Sequence, residues 1–155
     1  MEDKLGKPTC ILADLPGPKL RLGEFDGIHI LAMGSDVSLH CGIAHMEDAS
    51  SSKLPVQYDG LSAELKQGDP VLLSDGLIRL VVKSSTGERG GIVTCTVVDG
   101  GPISSRKGIN VPGTMVDLPA IGPKDKVALA HALDTGADLI ACLLYTSPSP
   151  RDGIL

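Results

Sequence analysis

Residues 11–21 read Ile-Leu-Ala-Asp-Leu-Pro-Gly-Pro-Lys-Leu-Arg, and the rest of the chain has to accommodate them. The run opens as a short apolar strand and stops at Asp14. Pro16 and Pro18 then bar regular continuation, because each lacks a backbone N–H, and Gly17 between them marks a turn. Lys19 and Arg21 follow at once. An acid at a strand end, a rigid turn and two cations make a candidate anion or metal site. Taken alone, the same residues also read as a buried strand, its exit turn and solvated charges.

With 155 residues the chain is long enough for one ordinary domain. Aromatic residues are 2% of it and Trp is absent, so the core has to be built from Val, Ile, Leu and Ala. The net charge of −5 argues against general binding to nucleic acid or a membrane surface, while leaving room for a local basic site. The four cysteines, at 10, 41, 95 and 142, are too far apart in sequence for a Cys-x-x-Cys metal site. Cys10, Cys95 and Cys142 lie in apolar runs and read as small core residues. His29, His40, His45 and His131 form no ligand spacing. No signal peptide or membrane-length apolar run is seen, and the cytoplasm is the simplest compartment.

After Arg21 the pattern is one of short strands. Residues 27–33 and 36–41 are candidate strands separated by Gly34, 54–58 make a short strand that Pro55 confines to an edge, and 61–67 fit one helical turn. Residues 71–74 form a strand, Asp75-Gly76 a tight turn into 78–83, and 92–98 the return strand after a loop at 84–91. Close-spaced short strands and 19 glycines predict a small β-barrel or sandwich. The pattern then changes. Gly122-Pro123-Lys124-Asp125 is a helix start, with Pro at the first position and an acid in the first turn. Val127, Ala130 and Leu133, joined by Leu129, lie on one face of it. Gly136 ends the helix, and 137–142 read as a buried parallel strand.

Four motifs carry a resemblance. Residues 14–21, Asp-Leu-Pro-Gly-Pro-Lys-Leu-Arg, are similar to the Asp-Leu-Gln-Gly-Pro-Lys-Ile-Arg segment of pyruvate kinases. Residues 72–78 (Leu-Leu-Ser-Asp-Gly-Leu-Ile), 105–113 (Ser-Arg-Lys-Gly-Ile-Asn-Val-Pro-Gly) and 116–120 (Val-Asp-Leu-Pro-Ala) follow in that family's order. The resemblance covers about residues 5–142. It implies a mainly β chain: a small β-barrel, the lid or B domain, inserted in a fragment of a TIM β/α barrel. The expected division is 1–21 barrel strand and exit turn, 22–116 inserted lid, 117–142 barrel helix and strand, and 143–155 a tail. Two Ser-Pro pairs in four residues give that tail a non-native look, and it is expected to be disordered. Met1 reads as an internal start.

The resemblance also implies roles. Arg21 contacts the nucleotide phosphate and serves catalysis, and Lys107 is the lid's contact to the nucleotide. Both cations suit phosphate, the one as a planar fork and the other as a point charge. The alternative for Arg21 is a salt bridge at the domain hinge with Asp117 on the return crossing. Asp14 matches an acid of the family's monovalent-cation site, but Leu15 stands where an oxygen-bearing neighbour is needed. Lys19 matches a position that holds Glu in potassium-dependent members, so its ammonium is expected to replace potassium. Asp75 reads mostly as a turn residue. The magnesium ligands, the catalytic lysine and most of the phosphoenolpyruvate pocket are expected in segments outside this sequence. The implied parent enzyme uses ADP/ATP and phosphoenolpyruvate, is a homo-oligomer, and binds neither nucleic acid nor membrane; the chain alone should be inactive. The other reading is a free-standing β-barrel that binds a nucleotide or phosphorylated ligand without catalysis.

Overall fold

The computed structural model describes residue 6, residues 8–119 and residues 121–141. The predicted tail at 143–155, Met1 and Cys142 lie outside the described residues. Two compact units divide the chain, one of 1–18 with 118–155 and one of 19–117.

In the first unit, β1 (Leu12–Asp14) pairs in parallel with β10 (Leu139–Ala141), with Leu12 opposite Leu139 and Asp14 opposite Ala141. The Leu15 N–H donates to the Ala141 carbonyl at 2.8 Å, extending the ladder by one step. The helix α2 (Pro123–Asp134) starts at Pro123 as the sequence predicts. It ends in a left-handed Gly136 (φ 80°), with Gly136 N–H bonded to Leu133 O and Ala137 N–H to Ala132 O, a Schellman stop. The face that carries Val127, Ala130 and Leu133 is not the buried one. Asp125 and Ala132 are buried and Ala128 and Leu129 half-buried, whereas Val127 and Leu133 are 73% and 62% exposed. Asp125 fixes that rotation, because one carboxylate oxygen accepts from Gly17 N–H at 2.8 Å and the other from Gly122 N–H at 2.7 Å. Cys10 is exposed rather than a core residue, because β1 begins two positions after it.

The second unit is a six-stranded sheet in the order β4-β3-β7-β6-β5-β9. Its strands are β3 (Asp36–Cys41), β4 (Lys53–Val56), β5 (Pro70–Leu73), β6 (Ile78–Ser85), β7 (Ile92–Asp99) and β9 (Ile109–Asn110). Alternate residues point inward: Val37 and Leu39 from β3, Leu80 and Val82 from β6, Val93, Cys95 and Val97 from β7, all buried. Pro55 lies on the edge strand β4, where its missing N–H costs no ladder bond.

Residues 20–24 then link both edges of the sheet. On the β9 side, Ile109 N–H donates to Leu20 O and Leu22 N–H to Lys107 O, each at 2.9 Å. On the β4 side, Gly23 N–H donates to Pro55 O at 2.8 Å and Gln57 N–H to Arg21 O at 3.1 Å. The sheet thus closes into a small barrel through the segment that carries Arg21. Gly23 is required there, since a Cβ would sit 2.5 Å from Ile43 O. A second, two-stranded antiparallel sheet pairs β2 (Ile28–Leu31) with β8 (Gly101–Ser104), and α1 (Leu61–Glu64) is a single turn.

The last residue of this unit is held by a polar cluster. Tyr58 OH donates to Glu64 Oε1 at 2.6 Å, and the same oxygen accepts from Asp117 N–H at 3.2 Å. Burial first, and then the hydrogen bond to Glu64, push the Tyr58 phenol up to about 12. Arg89 lies over the ring, 5.7 Å from its centroid, and forks onto Asp59. Among the described residues no helix is long and apolar enough to cross a membrane.

Candidate functional site

Three stretches far apart in sequence meet at one end of the second unit. The first is Lys19–Arg21, the second the turn Ser74–Asp75 between β5 and β6, the third the loop Arg106–Gly108 before β9. Backbone pairing brings them together. Arg21 bridges Gly108, and Ser74 N–H donates to Gly108 O at 3.2 Å. The Ser74–Asp75 turn is tight and left-handed (φ 51° and 57°), closed by Gly76 N–H onto Leu73 O. The expected Asp-Gly turn is thus displaced by one residue: Ser74 and Asp75 are its central pair, within a four-residue connection between Leu73 and its partner Ile78. Arg106 is also left-handed, at φ 62°.

The charges at this end are unevenly satisfied. Arg106 pairs with Glu24 at 3.3 Å, and its carbonyl accepts from Arg21 Nη1 at 3.3 Å. Arg21 is exposed and, among the described residues, has no carboxylate partner; Asp117 engages Tyr58 and Glu64 through its backbone instead. Lys107 is exposed, and among the described residues its ammonium has no partner. It lines an open groove of about 520 Å³ together with Ser74, Leu77, Ile78, Pro102 and Ser104. The Ser74 hydroxyl in that lining is buried and unpartnered. Two unneutralised cations beside backbone that glycine leaves bare are suited to an anionic ligand.

Lys19 is engaged differently. Its ammonium lies 3.7 Å from an Asp75 carboxylate oxygen, and its stem crosses Gly108. From sequence Asp75 reads as little beyond a turn, because nothing in the spacing of 19 and 75 brings them together. Only the pairing of β5 with β9 and of β9 with residues 20–22 does so.

Asp14 belongs to the first unit, at the end of β1, and is exposed. Its neighbour Leu15 is buried at 4% exposure and offers only an apolar side chain. Among the described residues no group of three or more His, Cys, Asp and Glu is placed to hold a metal ion. The donor set among the described residues therefore does not fit a divalent metal by itself.

The comparisons with known proteins agree on one family. A family model described as pyruvate kinase, barrel domain, matches residues 1–148. Pyruvate kinase from Mycobacterium tuberculosis is 39% identical over 148 residues, covering 95% of this chain and 30% of the relative. The Mycobacterium intracellulare enzyme is 42% identical over the same length, again covering 30% of it. A crystal structure of pyruvate kinase from Cryptosporidium parvum superposes with a TM-score of 0.78 at 28% identity, over 88% of this chain and 27% of that one. The chain thus spans about 30% of the curated relatives it matches. A small β-barrel that follows one strand and precedes a helix and strand in sequence, with the family's motifs in order, accounts for that match, and the chain belongs to the pyruvate kinase family.

Proposed function

We propose that this chain is the inserted lid, about residues 22–116, with flanking barrel segments at 1–21 and 117–142, of an enzyme that moves the phosphoryl group of phosphoenolpyruvate to ADP, giving pyruvate and ATP. The observation that carries the reading is the gathering of Arg21 and Lys107 at one end of the second unit with no carboxylate on either among the described residues. Phosphoryl transfer is catalysed by positioning and by placed positive charge, so unneutralised cations on a lid are what the chemistry asks for. In this reading Arg21 serves catalysis and binds the nucleotide phosphate with its planar fork. Lys107 closes on the nucleotide from the lid. Lys19 supplies the fixed charge that a potassium ion supplies elsewhere, consistent with the apolar Leu15 beside Asp14. Magnesium, which the family implies, would neutralise phosphate charge, and its ligands are assigned to segments outside this chain. A cytoplasmic homo-oligomer is the accompanying proposal.

The parallel β1–β10 pair with α2 favours this over a free-standing barrel module, which would have no use for them. The test uses the 155-residue chain and the longer enzyme that carries it. The longer enzyme should form pyruvate from phosphoenolpyruvate and ADP, and Arg21→Ala should lower kcat/KM by a factor on the order of 100 or more, as loss of a transition-state charge contact does. The 155-residue chain should form none. Turnover by the short chain, or an Arg21→Ala enzyme with unchanged kinetics, would overturn the assignment.

A further inference from the structure

We infer that Asp75 and Gly108 together form the seat of Lys19: Asp75 positions its ammonium, and the bare Cα of Gly108 gives its stem a path. The inference rests on the reading that Lys19 takes the place of a monovalent cation. A metal ion is held by its ligands from several sides. An ammonium on a flexible four-carbon stem is not, and without a restraint it samples many rotamers. The structure supplies one charged contact and one open path. Asp75 Oδ1 is 3.7 Å from Lys19 Nζ, and Asp75 stands in a left-handed turn whose backbone is bonded to Gly108 through Ser74. The three atoms nearest a Cβ built on Gly108 would all be Lys19's, with Cε at 2.5 Å, Nζ at 2.9 Å and Cδ at 3.8 Å.

The glycine is therefore not demanded by its own backbone, which does not lie in the left-handed region. A side chain there would instead displace the lysine stem that crosses it. The pair is open to solvent, with side-chain exposures of 40% for Lys19 and 89% for Asp75. Such pairs contribute little to stability, so the consequence is one of position. At 3.7 Å the pair is an ion contact rather than a hydrogen bond, so the N–H groups of the ammonium stay free for an anion. Asp75 and Gly108 are thus positioning residues for the cation that the reaction uses.

Two measurements test this. In the 155-residue chain, a water-soluble carbodiimide activates a carboxylate that an adjacent amine then attacks, forming an amide with net loss of water. Peptide mass spectrometry should find the Lys19–Asp75 linkage in the native chain. Gly108→Ala should reduce it several-fold, and Asp75→Asn, which has no carboxylate to activate, is the control. In the longer enzyme, with sodium and potassium replaced by a large organic cation, Lys19→Met should abolish most turnover. Gly108→Ala and Asp75→Asn should each lower kcat by a factor on the order of 10, because displacing a placed charge by about 1 Å costs that much or more. KM for ADP should stay near its original value, and Asp75→Glu should recover part of the loss.

If Lys19→Met cripples the enzyme while Gly108→Ala and Asp75→Asn do not, the seat is wrong and the cation replacement stands. If Lys19→Met is harmless in that buffer, the cation replacement is wrong, and the seat is then decided by the linkage yield. Equal linkage of Lys19 to Asp75 in native and Gly108→Ala chains would overturn the seat in either case.

Discussion

Tyr58 offers a quantitative check on how the second unit is closed at its last residue. Its phenol is pushed up to about 12, by burial first and then by the hydrogen bond and charge of Glu64, with Arg89 opposing. The unfolded phenol ionises near its ordinary value of about 10. Between those two values the unfolded state binds fewer protons than the native state, so stability falls as pH rises through the window. Holding the phenol proton that much more tightly corresponds to at most about 2.7 kcal/mol. The ring is only partly buried and Arg89 stacks on it, so solvent screening reduces the expected loss to about 1 kcal/mol. The assay is tyrosinate absorbance in a Tyr145→Phe chain, where Tyr58 is the remaining tyrosine, paired with urea unfolding across the same pH range. Glu64→Gln removes the charge but not the burial, so it should bring the titration part of the way down. A native Tyr58 that ionises at the ordinary phenol value, or a Glu64→Gln chain that titrates like the native one, would refute this closure.

Other substitutions probe the remaining supports. Leu22 is fully buried in the segment that joins the two sheet edges, and Leu22→Ala should cost about 2–5 kcal/mol in urea unfolding of residues 19–117. Gly23→Ala forces a Cβ to within 2.5 Å of Ile43 O and should destabilise the same transition, measured the same way. Asp125→Ala leaves the Gly17 and Gly122 N–H groups without their acceptor, so both amides should exchange hydrogen faster while those of the barrel do not.

The strands of the barrel are legible in the sequence because inward and outward residues alternate in β3, β6 and β7. Strands β8 and β9 are not. The former is Gly-Pro-Ile-Ser and the latter two residues long, so neither is long enough to show a period. The face of α2 is misleading in the sequence because apolar residues at 127, 130 and 133 outweigh one aspartate, whereas in the structure that aspartate is the anchor. Arg21 and Lys107 stand out through their motifs, and their backbone stretches do lie side by side, since Leu22 N–H bonds to Lys107 O. The Lys19–Asp75 pair is out of reach of sequence, because it depends on strand pairing across most of the barrel.

The distribution of buried residues yields a last prediction. Of the buried apolar side chains among the described residues, only Leu15 and Ala132 belong to the first unit; all the others lie in residues 19–117. The first unit leaves Leu12 and Leu139 each 56% exposed, Val127 73% and Leu133 62%. Its two-stranded parallel sheet has an unpaired edge on either side among the described residues. Parallel strands are ordinarily covered on both faces, and an open apolar edge recruits other chains. A chain of residues 19–117 retains the barrel, the joining segment at 20–24 and the Tyr58–Glu64 hold on Asp117. It should unfold cooperatively in urea and sediment as a monomer. The 155-residue chain should self-associate increasingly with concentration, and Leu12→Lys with Leu139→Lys should suppress that association without changing the urea transition of the barrel. A 19–117 chain that lacks a cooperative transition would show that the barrel depends on the flanking segments. A 155-residue chain that stays monomeric at high concentration would show that its exposed strand pair does not recruit other copies.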